Sequence, residues 1–326
     1  MKKILITGGA GYVGAVLTPS LLKKGYKVTI IDLMIYGEEV LEKNHNLTIV
    51  KGDIRNLELL TKIIPGHDVV IHLACISNDP SFELNPTLGK SINLDAFTPL
   101  VEISKKNKVK RFIYASSSSV YGLKDEKDVN EKMSLEPLTE YSKFKADCEE
   151  ILNKNKSEEF APITIRPATV CGYSTRQRLD LVVNILTNLA FNKRNITIFG
   201  GDQLRPNIHI KDMIRAYELV IEAPIEKVSG EIFNVGYENM KVKEIANLVK
   251  NVVGLDVTLE YKKTDDNRSY HISSKKIENN LGFKAKFTVK DAVQDIKNAL
   301  EKGLLPDSLS KENYFNIKKM QQIKLD

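Results

Sequence analysis

Tyr141 and Lys145 stand one helical turn apart in Tyr-Ser-Lys-Phe-Lys, a spacing that places both on one face of a helix. A phenol beside an ammonium is an acid–base pair. The cation favours the phenolate and is expected to draw the tyrosine from its ordinary pKa of about 10 toward neutrality, where it can take and return a proton. Pro137 and Leu138-Thr139-Glu140 supply a helix start just ahead of it. Upstream, the apolar run Arg111-Phe112-Ile113-Tyr114-Ala115 opens into Ser116-Ser117-Ser118-Ser119 before Val120-Tyr121-Gly122. In an open parallel sheet, ligands gather at the carboxyl ends of strands. Hydroxyls there can hydrogen-bond a substrate oxygen next to the phenol. Alone, each pattern is common: Tyr-x-x-x-Lys decorates many solvated helices, and serine runs are mostly loops.

Their weight comes from the N-terminus. Lys2-Lys3-Ile4-Leu5-Ile6-Thr7 predicts a short buried strand, followed by Gly8-Gly9-Ala10-Gly11-Tyr12-Val13-Gly14 and an amphipathic run through Leu21 and Leu22. Strand, glycine turn and helix in that order make a dinucleotide-binding context. Gly8 permits the tight turn, Gly11 lets the backbone approach a pyrophosphate, and Gly14 allows close helix packing. The first helical N–H groups, from the Tyr12-Val13 end, then face the anion. A second strand, Lys27-Val28-Thr29-Ile30-Ile31, ends in Asp32. A carboxylate at that place accepts hydrogen bonds from an adenosine ribose and repels a 2′-phosphate, so the expected cofactor is NAD and not NADP. A tight βα turn with no ligand is the lesser alternative for the glycines alone, and Asp32 disfavours it further.

Together these segments resemble the extended short-chain dehydrogenases/reductases, of the nucleotide-sugar epimerase/dehydratase kind. The resemblance runs from the glycine turn to about residue 300. It implies that Ser117, four residues before the Tyr121-Gly122 pair, completes a catalytic set with Tyr141 and Lys145. It also implies adenine contacts at Asp53-Ile54. The His72-Leu73-Ala74-Cys75 segment, through Leu73 and Ala74, would flank the nicotinamide side.

In the second half, the resemblance places two arginines at the diphosphate of a nucleotide sugar: Arg205, in Gln-Leu-Arg-Pro-Asn, and Arg268, in Asp-Asp-Asn-Arg-Ser. A planar guanidinium fork suits that task, although either arginine could instead make a surface ion pair. Thr169 stands where many relatives carry an asparagine that contacts the diphosphate; a hydroxyl can still donate there. Ser77-Asn78-Asp79-Pro80 is expected to face the sugar, with Ser118, or else to be a simple Asn-Asp-Pro turn. The departures at Thr169 and Ser77–Pro80 suggest a less common sugar.

Composition excludes several other classes. With 326 residues, 42% of them hydrophobic, the chain can bury one large core or two modest ones. The net charge of +6 is spread over Lys-rich faces, without tryptophan or an aromatic-basic ladder, which argues against a nucleic-acid partner. Cys75, Cys148 and Cys171 form no Cys-x-x-Cys pair, and the histidines are scattered, so neither a disulfide framework nor a metal site is expected. No apolar run approaches the ~18 residues that cross a bilayer. An apolar strand near Met1 replaces any signal peptide, so a cytoplasmic location is expected.

Alternating strand and helix patterns predict an α/β fold with a doubly wound parallel sheet; the resemblance implies that this is a Rossmann sheet with a smaller mixed α/β substrate lobe. The division is drawn as residues 1–168 for NAD binding and 169–326 mainly for the nucleotide sugar, with pieces returning to the sheet. Helices are expected at 56–64, 87–107, 178–193, 208–222, 241–253 and 288–302. The tail after residue 303 shows little periodicity and is given no role.

The chemistry implied is hydride transfer at C4 of a nucleotide-diphosphate sugar. Tyr141 moves the hydroxyl proton, Lys145 supports it, and Ser117 steadies the developing ketone. Relatives that eliminate water carry Asp-Glu directly after the catalytic hydroxyl, where this chain has Ser118 and Ser119; a 4,6-dehydratase is therefore disfavoured. A 4-epimerase leads, with a C4 dehydrogenase or 4-ketoreductase close behind. A catalytically silent NAD-binding regulator is set against these by the intact Ser117, Tyr141 and Lys145. The resemblance further implies a homodimer built on the 87–107 and 140–154 helices, the first rich in Ile92, Leu94, Phe97, Leu100, Val101 and Ile103.

Overall fold

A computed structural model describes residues 1–264 and 269–323. The apolar runs become strands β1 (Lys3–Thr7), β2 (Lys27–Asp32), β3 (Leu47–Lys51), β4 (Val69–His72), β5 (Arg111–Ala115) and β6 (Ala161–Pro167). The second half adds β7 (Thr169–Cys171), β8 (Asn195–Phe199), β9 (Leu204–His209), β10 (Glu231–Val235), β11 (Glu238–Lys241) and β12 (Thr258–Lys262). Seven of these form one parallel sheet in the order β10-β6-β5-β4-β1-β2-β3. β4, near the middle, is buried at every residue, whereas β3, at the edge, is mostly exposed. Central strands covered on both faces read as continuous Val/Ile runs for that reason.

Alternate residues of each strand feed two cores. Ile4 and Ile6 pack on one face with Leu17 and Leu21 of the Gly14–Lys23 helix and Met213 and Tyr217 of the Ile210–Glu222 helix. Leu5 packs on the other face with Leu60, Phe97, Leu100 and Leu152, from the helices Leu57–Ile63, Phe97–Lys106 and Glu140–Lys154. The chain thus returns from its second half to the main sheet with the Ile210–Glu222 helix, with β10, and with the Lys275–Leu281 helix, whose Ile277 joins the first core. The remaining lobe holds a three-stranded sheet β11-β9-β7, the parallel pair β12-β8, and the helices Val182–Lys193, Val242–Val253 and Val289–Glu301 around their own core.

Three expectations change. The helix foreseen at 87–107 is broken into Pro86–Lys90, a π-type turn at Ser91–Asp95, and Phe97–Lys106. Asn93 is the cause. Its side chain accepts from the Ile76 N–H at 2.8 Å and donates to the Ile76 carbonyl at 3.0 Å, while its own carbonyl accepts from the Cys148 thiol. The turn therefore anchors the loop that leaves β4. Ile92, Phe97, Leu100 and Val101 are consumed by that chain's own core, so only Leu94 and Ile103 remain partly exposed from the stripe that suggested a dimer face. The helix foreseen at 178–193 starts at Val182, because Arg178 and Asp180 hold each other in the preceding loop.

The tail is also ordered. Glu312–Tyr314 forms a 3₁₀ turn and Asn316–Gln322 a helix, with Asn316 only 2% exposed. Among the described residues no helix is long and apolar enough to cross a membrane, and no cluster of His, Cys, Asp and Glu could hold a metal ion.

Candidate active site

One cleft of about 710 Å³ opens at the carboxyl ends of the sheet strands, between the sheet and the second lobe. Gly8, Gly11, Tyr12, Val13, Gly14, Asp32, Asp53, Ile54, Leu73 and Ala74 line it on the sheet side. Ser77, Asn78, Ser117, Ser118, Tyr141 and Lys145 line its middle, and Thr169 and Arg205 its far wall. Arg268 lies outside the described residues.

The glycine turn is built for close approach. Gly8 has φ +74°, and a Cβ on it would meet the Ala74 nitrogen at 2.6 Å. A Cβ on Gly14 would meet the Gly8 and Gly9 backbone at 2.6 Å, so the helix packs directly onto the turn. Asp32, at the end of β2, accepts from the Ala10 N–H at 3.0 Å and the Met34 N–H at 2.8 Å. Burial raises its carboxyl above the ordinary value, and those two N–H groups oppose the rise. A bare backbone turn, a helix N-terminus and an anchored carboxylate at the next strand end fit an adenine dinucleotide. Asp53 sits close by in an ion pair with Arg55 at 2.7 Å.

At the centre, Thr139 and Ser142 form a reciprocal capping box that starts the Glu140–Lys154 helix. This fixes Tyr141 in the first turn, facing Ser117. The Ser117 hydroxyl lies 2.8 Å from the Ser119 hydroxyl and accepts from the Ser119 N–H, and Ser117 is near enough to the phenol to favour its ionised form. Lys145 Nζ is 5.8 Å from the centre of the Tyr141 ring. Its hydrogen bond goes to the Ala115 carbonyl at 2.6 Å.

The expected lowering of the phenol's pKa, by Lys145 together with the positive nicotinamide ring of NAD⁺, works against the protein's own burial of the ring. Burial pushes the Tyr141 hydroxyl well above its ordinary value, and Cys75 and Asp79 add to the rise; the Arg178 charge and the Ser117 hydrogen bond oppose it. Desolvation outweighs the nearby cations in this site.

Beneath the site, Arg166 of β6 forms a buried pair with Glu149 of the Tyr141 helix, Nη2 to Oε2 at 2.6 Å. The same guanidinium donates to the Tyr121 hydroxyl at 2.7 Å, and Ser116 donates to Glu149. This network ties the helix to the strand ends that carry the serines. His72 points away from the cleft into an aromatic core and bonds Thr7 at 2.7 Å, so only its successors Leu73 and Ala74 reach the cofactor side.

On the sugar side, Asn78 does cap a turn: at φ +72° its side chain accepts from the Ser81 N–H at 2.9 Å. The Ser77 hydroxyl accepts from Arg178 at 3.2 Å and from Asn316 at 2.8 Å. Arg205 Nη1 donates to the Leu204 carbonyl at 3.0 Å, with its guanidinium over the Tyr270 ring. Thr169 of β7 lines the cleft as Arg205 does; its register partner on the neighbouring β9 is Asn207, two residues beyond Arg205.

Sequence reasoning missed the Arg176-Gln177-Arg178-Leu179-Asp180 loop and Asn316, although Tyr36, Arg176, Arg178, Asp180 and Asn316 all line the cleft. The two arginines followed by an acid, shortly after Gly172 and ahead of an apolar helix, were a usable signal. Asn316 carried none.

The sequence profile of the NAD dependent epimerase/dehydratase family matches residues 4–236. An uncharacterized UDP-glucose epimerase of Bacillus subtilis is 32% identical over 275 residues, covering 79% of this chain and 84% of that protein. A UDP-glucose 4-epimerase of Thermotoga maritima, solved with UDP-glucose, superposes with a TM-score of 0.85 at 26% identity, over 93% of this chain and 99% of that one. A UDP-glucuronic acid 4-epimerase of Bacillus cereus, solved with UDP-glucuronic acid and NAD, superposes with a TM-score of 0.83 at 27% identity, over 92% and 99%. The likeness thus extends over most of the chain's length, and the protein is an NAD-dependent enzyme belonging to the NAD dependent epimerase/dehydratase family.

Proposed function

We propose that the enzyme transfers hydride at C4 of a UDP-sugar and acts as a 4-epimerase. The observation that carries this reading is that Ser117, Tyr141 and Lys145 line the middle of one cleft, with Ser117 near enough to act on the phenol's ionisation. A dinucleotide half lies on one side of them and Arg205 on the other. With the phenol ionised under the charges of Lys145 and of the nicotinamide ring of bound NAD⁺, a sugar C4 hydroxyl set between Ser117 and Tyr141 would give its proton to the Tyr141 phenolate, while the Ser117 hydroxyl hydrogen-bonds the oxygen that becomes a ketone. NAD supplies the hydride acceptor for this chemistry. Lys145, held by the Ala115 carbonyl, presents its ammonium to the phenol and to a ribose hydroxyl. Arg205 is the diphosphate ligand, and Ser77, Ser118 and Thr169 are sugar contacts. Ser118 and Ser119 offer no carboxyl group beside Ser117 to protonate a leaving hydroxyl, which separates this reading from dehydration. The named relatives that act on UDP-sugars support the choice of nucleotide. In this reading two copies pair through the Phe97–Lys106 and Glu140–Lys154 helices; light scattering on the purified protein tests that with a mass near twice 36.7 kDa.

The deciding experiment incubates the enzyme and NAD with a panel of UDP-sugars. Formation of the C4 isomer without net absorbance at the reduced-nicotinamide band is the expected result. Stoichiometric NADH with a 4-ketosugar would replace the epimerase with a C4 dehydrogenase. Tight NAD binding with no change in any sugar would indicate a silent regulator.

A further inference from the structure

Arg176 is 4% exposed, yet its Nε and Nη1 have no hydrogen-bond partner among the described residues. Burying a guanidinium with open donors is costly unless an anion completes it. The residue is nevertheless held firmly. Its guanidinium carbon lies 3.5 Å from the centre of the Tyr36 ring, and Nη2 donates to Asn316 Oδ1 at 2.7 Å. Its neighbour Arg178 is neutralised by Asp180, with nitrogen–oxygen separations of 3.0 and 3.3 Å. Arg176 has no such carboxylate among the described residues.

Its place in the cleft is set by the loop that carries it. The Tyr12 hydroxyl donates to the Gly172 carbonyl at 2.6 Å, and the Ser174 hydroxyl donates to the Tyr12 carbonyl at 2.9 Å. Thr175 Oγ1 donates to the Val40 carbonyl at 3.0 Å, on the segment that follows Asp32. The loop is therefore stitched across the glycine turn itself, and the Arg176 charge is felt at both Asp32 and Tyr12. Burial lowers the guanidinium to about 10, the direction expected of a cation whose partner must come from outside the chain.

We propose that Arg176 is the second-lobe ligand of the cofactor's diphosphate, so that the anion is gripped between the glycine-turn helix on one side and the open Nε and Nη1 donors on the other. Tyr36 and Asn316 are positioning residues for it. The C-terminal segment is then a strap: Asn313 donates to the Tyr36 carbonyl at 3.0 Å, and Asn316 holds both Arg176 and Ser77. The inference rests on dinucleotide binding and not on which sugar is turned over.

Calorimetric titration of the full chain with ADP-ribose, adenosine and UDP tests it without turnover. Arg176→Met is expected to weaken ADP-ribose and NAD by roughly tenfold or more, with adenosine and UDP changed by less than about twofold. Loss of UDP affinity with ADP-ribose intact would overturn the assignment and give Arg176 to the substrate's diphosphate. Unchanged affinities for all three would overturn it as well. Should Arg176→Met fail to fold, Arg176→Lys decides, since it keeps the charge but loses the fork; it must weaken ADP-ribose more than UDP, and equal effects refute the proposal. Asn316→Ala is expected to weaken ADP-ribose by a smaller factor, and no change there removes the strap.

Discussion

Lys145 Nζ and the Ala115 carbonyl are joined at 2.6 Å, so the Tyr141 helix is locked to the end of the strand that leads into Ser117. The phenol, on a helix, and the Ser117 hydroxyl, two residues past the end of β5, are thereby held in one frame. Tyr141→Phe keeps the ring and removes only the hydroxyl. Turnover of a UDP-sugar is expected to fall by about 10²–10⁴-fold, with NAD affinity retained. Fluorescence titration with NADH beside steady-state rates checks both; full activity would take the proton transfer away from this residue.

The Arg166–Glu149 pair beneath the site is buried at both ends, 3% and 5% exposed. Removing one partner leaves the other charge desolvated, which costs about 3–5 kcal/mol, whereas replacing both by apolar groups is far milder. Arg166→Met should therefore lower the urea midpoint strongly, and Arg166→Met with Glu149→Leu should recover most of the loss. A single variant as stable as the parent would show that the pair is not what ties helix to strand.

Gly8, Asp32 and the Tyr141–Lys145 pair were legible in the sequence because each is constrained locally: a turn, a strand end, a helical spacing. The alternating cores at Ile4, Leu5 and Ile6 were legible for the same reason. What was not legible is long-range. Arg176 and Asn316 are 140 residues apart in the chain, and no periodicity links them. The break at Ser91–Asp95 depends on Asn93 finding Ile76 in another layer, so a helical pattern over 87–107 could not reveal it. The upward push on the Tyr141 pKa was not legible either, because burial around the phenol, unlike helical spacing, is a property of the assembled cleft.

Asp32 is anchored by two backbone N–H groups, so its oxygens are fixed relative to the glycine turn. Asp32→Asn keeps the shape and removes the charge that repels a 2′-phosphate. The preference for NADH over NADPH is expected to drop by roughly tenfold or more, since a charged hydrogen bond to the ribose is lost as the repulsion is. Competitive titration of the two reduced cofactors measures the ratio. An unaltered ratio would mean that the adenosine ribose sits elsewhere in the cleft.

His72 gives the fold an acid limit. Burial lowers its pKa from 6.5 to about 3, while Thr7 and the Tyr114 ring hold the neutral imidazole in place. The unfolded chain therefore binds this proton below its ordinary pKa of 6.5, and the folded chain refuses it until about 3. Within that window the unfolded state carries more protons, so stability rises with pH and is lost as pH falls. One such group removes about 2 kcal/mol between about pH 7 and pH 5. His72→Gln should cost stability at neutral pH but flatten this limb, so that urea unfolding at the two pH values differs by about 2 kcal/mol less than in the parent. An equally steep limb in the variant would assign the acid sensitivity to other groups.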